Sequence, residues 1–380
     1  MQIITSFLII TILLSSIAAI AAPAALATSG TLTITKNTVL TADHYGNIII
    51  AADGITLNGN GHTVSGDGTG YGVLLDHRTG VTIKNLKVKN FDRGIYLYFS
   101  NDTIVTGSTF SNNEWYGIDL DRSSENTITH NTASNNQVGI APVPASNNNI
   151  VTGNTASSNR GVGIGLVSSG SNIFTGNTVS DNSEGRGIQL VHSSYNTLTG
   201  NTISNNKVGI EIIQSSFNKI YRNNLIDNPT QAWVGGYTAR GNVFNLSTSI
   251  GGNYWSNYHT SAQGCVDTSP ADGFCDSPFV FTGGKDYLPW TRMNGWVAPM
   301  IKDLVNQIKG LHLPAGTENE LVSILNNAKK SFDKGNDGAT INQLQAFINK
   351  VEAQSGKNIP EAGADTLIAD AEAIIAQLKH

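Results

Sequence analysis

Charge is what this sequence has least of. Asp, Glu, Lys and Arg make up 13% of its 380 residues, against about 25% in an ordinary globular protein. The net charge is −5 and no segment concentrates Lys or Arg. A nucleic-acid partner is thereby excluded, because binding to phosphates depends on clustered cations. Sulfur is scarce too: two cysteines and three methionines, one of them the initiator. The histidines are scattered as His44, His62, His77, His130, His192, His259, His312 and His380. Copper and zinc need His, Met or Cys that converge, so no transition-metal site is expected. Beyond the N-terminal residues no apolar run is long enough to span a bilayer. Helical periodicity is missing from most of the chain, which is too rich in Gly, Asn, Ser and Thr and alternates its apolar positions.

What is present is a beat. Gly72-Val73, Gly94-Ile95, Gly117-Ile118, Gly139-Ile140, Gly163-Ile164, Gly187-Ile188 and Gly209-Ile210 recur every 22 to 24 residues, the mark of a solenoid whose turns bury their apolar edges on one another. After each glycine the next and third-next residues are apolar, as in Ile95/Leu97 and Ile118/Leu120, so a short strand points them inward. Two further columns run from Ile83 through Val105 and Ile128 to Ile220, and from Val88 through Phe110 and Ala133 to Leu225. Three strands per turn specify an all-β, right-handed, single-stranded parallel β-helix. Files of asparagine, Asn131 to Asn223 and Asn113 to Asn228, are expected to stack as structural ladders, since Asn tolerates left-handed corners and identical amides can bond turn to turn.

The run from Phe7 to Ile20 ending at Ala25-Leu26-Ala27 reads as a secretory leader cut after Ala27, although it has no basic residue before it; an uncleaved anchor is the alternative. Export makes a disulfide the default for Cys265 and Cys275. It also makes Asn101-Asp102-Thr103 and Asn245-Leu246-Ser247 candidate glycosylation sites at Asn101 and Asn245. Once the leader is removed, no transmembrane segment is expected, and the product is secreted or displayed at the cell surface.

The repeat breaks after about Trp233. Gly251-Gly252-Asn253-Tyr254-Trp255-Ser256-Asn257-Tyr258, with Asp272-Gly273-Phe274-Cys275-Asp276-Ser277-Pro278-Phe279 and Lys285-Asp286-Tyr287-Leu288-Pro289, resembles the end of NosD-type right-handed β-helix proteins. The resemblance covers roughly residues 30 to 290. The segment makes physical sense as a lid over open strand edges. Asp267, Asp272, Asp276 and Asp286 crowd it, which makes them candidate calcium ligands, with turn and cap roles as the alternative. The family is named for copper delivery, which the scattered histidines make a poor expectation here.

From about Val297 the spacing becomes helical. Thr317-Glu318-Asn319-Glu320 reads as a capping box, Gly335 and Gly356 as C′ residues and Pro360 as a first-turn proline. A small α-helical bundle is expected. Thr317-Glu318-Asn319 and the stretch Ile341 to Lys357 resemble the FIMAH-type module, which implies an attachment accessory holding an envelope partner. The organisation expected is thus a leader (1–27), a β-helix (28–250), an aromatic and Asp-rich cap with a disulfide loop (251–296) and a helical bundle (297–380).

Outward positions, two and four places after each glycine, are uneven. Polar and aromatic groups gather on the early turns: Arg93, Tyr96, Tyr98, Trp115, Tyr116, Asp119, Asp121 and Arg122. Flat rings with carboxyl and guanidinium groups suit a glycan. Tyr96, Tyr98, Trp115, Tyr116, Asp119 and Asp121 are therefore candidate sugar-binding residues. Asp119 and Asp121, about 6.6 Å apart by strand rise, are weak catalytic candidates with Arg93 and Arg122, as a glycoside hydrolase pair or a lyase site. The catalytic strings of the pectinase glycosidases are missing. The expectation is a surface protein that binds carbohydrate or scaffolds the envelope, leaning against catalysis and with no cofactor beyond possible calcium. A polysaccharide-processing enzyme is the alternative, and a purely structural surface protein the third reading.

Overall fold

The computed structural model describes residues 28–268 and 271–379; the leader lies outside them. Among the described residues the chain winds into parallel sheets of eleven, ten and nine strands, plus a two-stranded antiparallel hairpin. Each strand of the parallel sheets pairs with its counterpart one turn away. Val88 lies between Val64 and Phe110, Ile95 between Val73 and Ile118, and Val105 between Ile83 and Ile128. These columns are wholly buried, so the interior of the rod is the set of residues that alternation assigns to it.

The glycine beat has a steric cause. A Cβ on Gly117 would lie 2.7 Å from the Gly139 carbonyl oxygen, and one on Gly139 only 2.5 Å from that of Gly163. Each turn therefore keeps glycine there because the next turn's backbone occupies the side-chain space. The asparagine files stack as expected. Asn177 Nδ2 donates to Asn201 Oδ1 at 2.9 Å and to the Val151 carbonyl at 2.9 Å, while its own Oδ1 accepts from Asn154 N and Nδ2. A third file, Asn126, Asn149, Asn172, Asn196, Asn218 and Asn242, bonds in the same way; it escaped the sequence reading because serines and exposed polar residues surround it. Buried polar groups of this kind are tolerated only when fully satisfied.

The ladder through Asn201 and Asn223 ends on the cap. Asn223 Nδ2 donates to Asn253 Oδ1, and Asn253 N and Nδ2 donate to Asp286 Oδ2. Trp255 Nε1 donates to the same oxygen at 2.9 Å, and the Trp255 ring closes the core beside Phe244, Phe279 and Phe281. Cys265 and Cys275 form a disulfide.

Four helices follow: α1 (Val297–Gly310), α2 (Ala315–Asp333), α3 (Asp337–Gln354) and α4 (Glu361–Leu378). Their buried stripes share one core with Tyr254, Phe274, Trp290 and Trp296 of the cap, so the bundle is seated on the lid. Gly335 and Gly356 adopt positive φ, as C′ residues do. Two capping expectations are corrected. α2 begins at Ala315 behind Pro314, which places Thr317 inside the first turn and buries it. Pro360 is extended and precedes α4, since its fixed φ also suits the residue that leads into a helix. No helix among the described residues is long and apolar enough to cross a membrane.

Candidate functional site

The ten-stranded sheet presents the outward residues of interest. Strands Tyr71–Asp76, Arg93–Tyr98 and Tyr116–Asp121 are adjacent, with Tyr71, Arg93 and Tyr116 in one column, Leu74, Tyr96 and Asp119 in the next, and Asp76, Tyr98 and Asp121 in the third. Ile118 and Leu120 are fully buried in the core, so Asp119 is directed away from it. Yet Asp119 is only 2% exposed; the outward face is covered at this point.

The cover is Arg93 and its tyrosines. Arg93 Nε donates to Asp119 Oδ2 at 2.6 Å, and the guanidinium lies 5.5, 4.9 and 5.5 Å from the ring centres of Tyr71, Tyr96 and Tyr116. Such cation–π contacts hold an arginine in place more firmly than a surface ion pair does. Asp119 Oδ1 is buried without a hydrogen-bond partner. Burial pushes the Asp119 carboxyl up to about 7, against the pull of Arg93. Burial and the proximity of Asp119 likewise raise Tyr116, and burial with the hydrogen bond to Asp121 raises Tyr96.

Asp121 accepts from Tyr96 Oη at 3.0 Å and from Arg122 Nη1 at 3.1 Å. Tyr96 stacks on Tyr71 and Tyr98, and Tyr98 continues to Phe99 and His77. The structure thus brings together Arg93, Tyr96, Tyr98, Tyr116, Asp119, Asp121 and Arg122. Trp115 stands 52% exposed at the corner before the last of these strands. Tyr71, His77 and Phe99 were missed: Tyr71 occupies the column before the glycine, and the other two sit at left-handed corners. That column, set beside Arg93 in register, was the available signal. A cavity of about 450 Å³, lined by Tyr45, Asn47, Asp67, Thr69, Tyr71 and Phe91, adjoins the ribbon on the N-terminal side.

The cap carboxylates serve the backbone. Asp267 accepts from Asp272 N and Gly273 N, Asp272 from Phe274 N, and Asp276 from Thr268 N and Oγ1. Asp286 is fully buried at the end of the ladder, with its carboxyl pushed up by burial to about 6. Among the described residues no group of three or more His, Cys, Asp or Glu converges. Asn101 is exposed, while Asn245 is half-buried with its amide bonded to Leu246 O and Tyr287 N.

Residues 54–260, more than half of the chain, match a family model described as "Periplasmic copper-binding protein (NosD)". Residues 300–376 match the FIMAH domain. No curated protein matches. Solved structures match part of the chain. A periplasmic alginate epimerase, AlgG, is 22% identical with a TM-score of 0.45 over 53% of each chain, so this chain spans about half the length of that enzyme. An alginate lyase from Paenibacillus sp. is 14% identical with a TM-score of 0.41, over 56% of this chain and 90% of its own. The catalytic domain of an alpha-1,3-glucanase is 15% identical with a TM-score of 0.34, over 61% and 56%. The leaning away from catalysis is corrected by what these matches are named: an alginate epimerase, an alginate lyase and an alpha-1,3-glucanase. The exported placement read from the leader accords with the periplasmic description of the matched family.

Proposed function

The chain belongs to the NosD family, and from that premise we propose that it is an exported or surface-displayed polysaccharide hydrolase acting at Asp119 and Asp121. The observation that carries the reading is the buried carboxyl of Asp119, with one oxygen held by Arg93 and the other unpartnered. A carboxyl that keeps its proton to about pH 7 is a general acid at neutral pH.

The roles follow from charge flow. Asp119 Oδ1 gives its proton to the glycosidic oxygen as the bond to the anomeric carbon breaks. Asp121 takes a proton from the water that attacks that carbon from the opposite face, leaving a reducing end and a free hydroxyl. The strand places the two residues two positions apart, about 6.6 Å by rise, a separation that leaves room for water in an inverting enzyme. Arg93 fixes the orientation of Asp119. The tyrosine ribbon offers flat faces to sugar C–H edges, and substrate reaches Asp119 as Arg93 and the adjacent rings shift.

Copper, which the family's name implies, does not fit these residues: both cysteines are oxidised, Met293 and Met300 pack against the bundle core, and His77, His130, His192 and His312 sit singly at left-handed corners. No step is assigned to it. The helical module is read as the element that attaches the enzyme to its polymer or to the envelope.

The test is reducing-sugar release from neutral polysaccharides by the full chain and by the Asp119→Asn and Asp121→Asn variants. Release that both substitutions cut at least about a hundredfold supports the reading. No release from any polymer, or unchanged release by Asp119→Asn, overturns it.

A further inference from the structure

The arrangement at Arg93 occurs twice. Four turns further along the same sheet Arg186, like Arg93, immediately precedes the glycine of its turn, and it donates Nε to Glu211 Oε2 at 2.9 Å across to the adjacent strand. Glu211 stands in register with Ala141's and Asp119's column and is buried. Gln189 Nε2 donates to the same oxygen at 2.6 Å. Trp233 is the next residue in that column, and its ring lies across Gly235, where a Cβ would meet it at 2.2 Å. A flat indole thus follows Glu211 in the same column, its ring turned toward Gly235 and away from Arg186, and adds an aromatic face to the station.

Between the two stations the column holds Ala141 and Gly165, both buried. Gly165 differs from the glycines of the beat. Its φ is ordinary, and a Cβ there would find its nearest neighbour, Val162 Cγ1, at 3.4 Å. No contact within the chain crowds out a Cβ at this strand position, where glycine weakens the sheet and leaves room for close approach of a ligand. Pro142 lies inside the strand Val138–Val143, and the ladder to Val162–Val167 is registered only at Val138↔Val162 and Ile140↔Ile164. The sheet is therefore both low and locally unlaced midway between the stations.

We propose that Arg186, Gln189, Glu211 and Trp233 form a second glycan-recognition station, and that a single neutral, hydroxyl-rich polysaccharide chain lies along the rod axis from it, over Ala141 and Gly165, to Arg93. The span from Asp119 to Glu211 is four strand spacings, about 19 Å, long enough for a polymer and too long for one sugar. Charge selects the class. Asp76, Asp119, Asp121 and Glu211 stand on this face, the guanidiniums of Arg93, Arg122 and Arg186 are each turned onto one of these carboxyls, and the midway positions Ala141 and Gly165 carry no charge, so the path offers hydroxyl-binding groups and not a row of cations for a polyanion. The inference deepens the hydrolase reading but needs only its location, not its chemistry.

The experiment is native electrophoresis of the full chain in gels cast with galactomannan, xylan, laminarin or, as the acidic control, alginate. Retardation is expected from at least one neutral polymer and not from alginate. Arg186→Ala, Trp233→Ala and Gly165→Trp should each weaken the apparent Kd about tenfold, equivalent to about 1.4 kcal/mol, with thermal melts reporting that each variant is folded. Trp233→Ala and Gly165→Trp leave no buried charge unpaired, so they decide the matter if Arg186→Ala unfolds. Retardation by alginate alone, by no polymer, or by neutral polymers with the folded variants unchanged overturns the proposal. Turnover measured beside retardation separates the two readings: binding that depends on Trp233 without turnover sinks the hydrolase alone, and turnover indifferent to Trp233 and Gly165 sinks the second station alone.

Discussion

Arg93 reaches across from one turn to donate to Asp119 on the next at 2.6 Å, while the other oxygen of that carboxyl has no partner. The pair is asymmetric in exposure, with 31% of the arginine side chain open to solvent and 2% of the aspartate. Removing one partner of such a pair strands a buried group, a larger loss than the pair itself contributes.

Arg93→Ala is therefore expected to destabilise the β-helix by about 2 kcal/mol, discounted from the fully buried case because the guanidinium is partly solvated. The double variant with Asp119→Ala should recover part of that loss. Urea unfolding of Arg93→Ala, Asp119→Ala and the double variant checks this, and a double variant less stable than Arg93→Ala would contradict it.

Activity should fall as pH rises through about 7, where the proton on Asp119 is lost. Stability carries the same sign. The native carboxyl titrates at about 7 and its unfolded counterpart near 3.8, so the folded state binds the extra proton between them. The contribution is complete below about pH 3.8 and is lost as pH rises through about 7. A pH profile of kcat and parallel thermal melts, wild type against Asp119→Asn, measure both; a variant that keeps the wild-type slope near neutrality would refute the assignment.

Two glycine substitutions should diverge. Gly139→Ala drives a Cβ to 2.5 Å from the Gly163 carbonyl oxygen and is expected to cost several kcal/mol or prevent folding. Gly165→Ala meets only ordinary contacts and should be neutral or stabilising by up to about 1 kcal/mol. Equal losses at both positions would show that the protein itself requires Gly165.

Asn177→Ala removes two donated and two accepted bonds within the buried ladder. At about 1 kcal/mol for each net bond, a loss of about 4 kcal/mol is expected. Ser111→Ala, whose hydroxyl accepts one long contact outside the ladder, should change stability by less than about 0.5 kcal/mol. Comparable melts for the two would contradict the ladder's role.

The rod was legible because its constraints repeat. Gly117 and Ile118 recur with the same environment one turn on, so the interior could be sorted by counting, and Asn131 and Asn136 announced their files the same way. The site was legible in part. Alternation directed Asp119 outward, but it carries no information on what lies over a residue, and the burial of Asp119 beneath Arg93 comes from a contact 26 residues away between different columns. Tyr71 was passed over although Arg93 and Tyr116 of its own column were read, because the candidates were gathered from the two turns after it. The role of Asp286 could not be read either: its neighbours Asn253 and Trp255 lie more than thirty residues earlier, and the cap has no period to bring them into register.

A rod assembled from interchangeable rungs is a ruler. Inserting or deleting one rung between Gly139 and Gly187 would leave each arginine–carboxylate pair intact and change their separation by one increment of about 4.8 Å. Relatives of different length could therefore be graded for polymers of different reach without a single change in the residues that touch them.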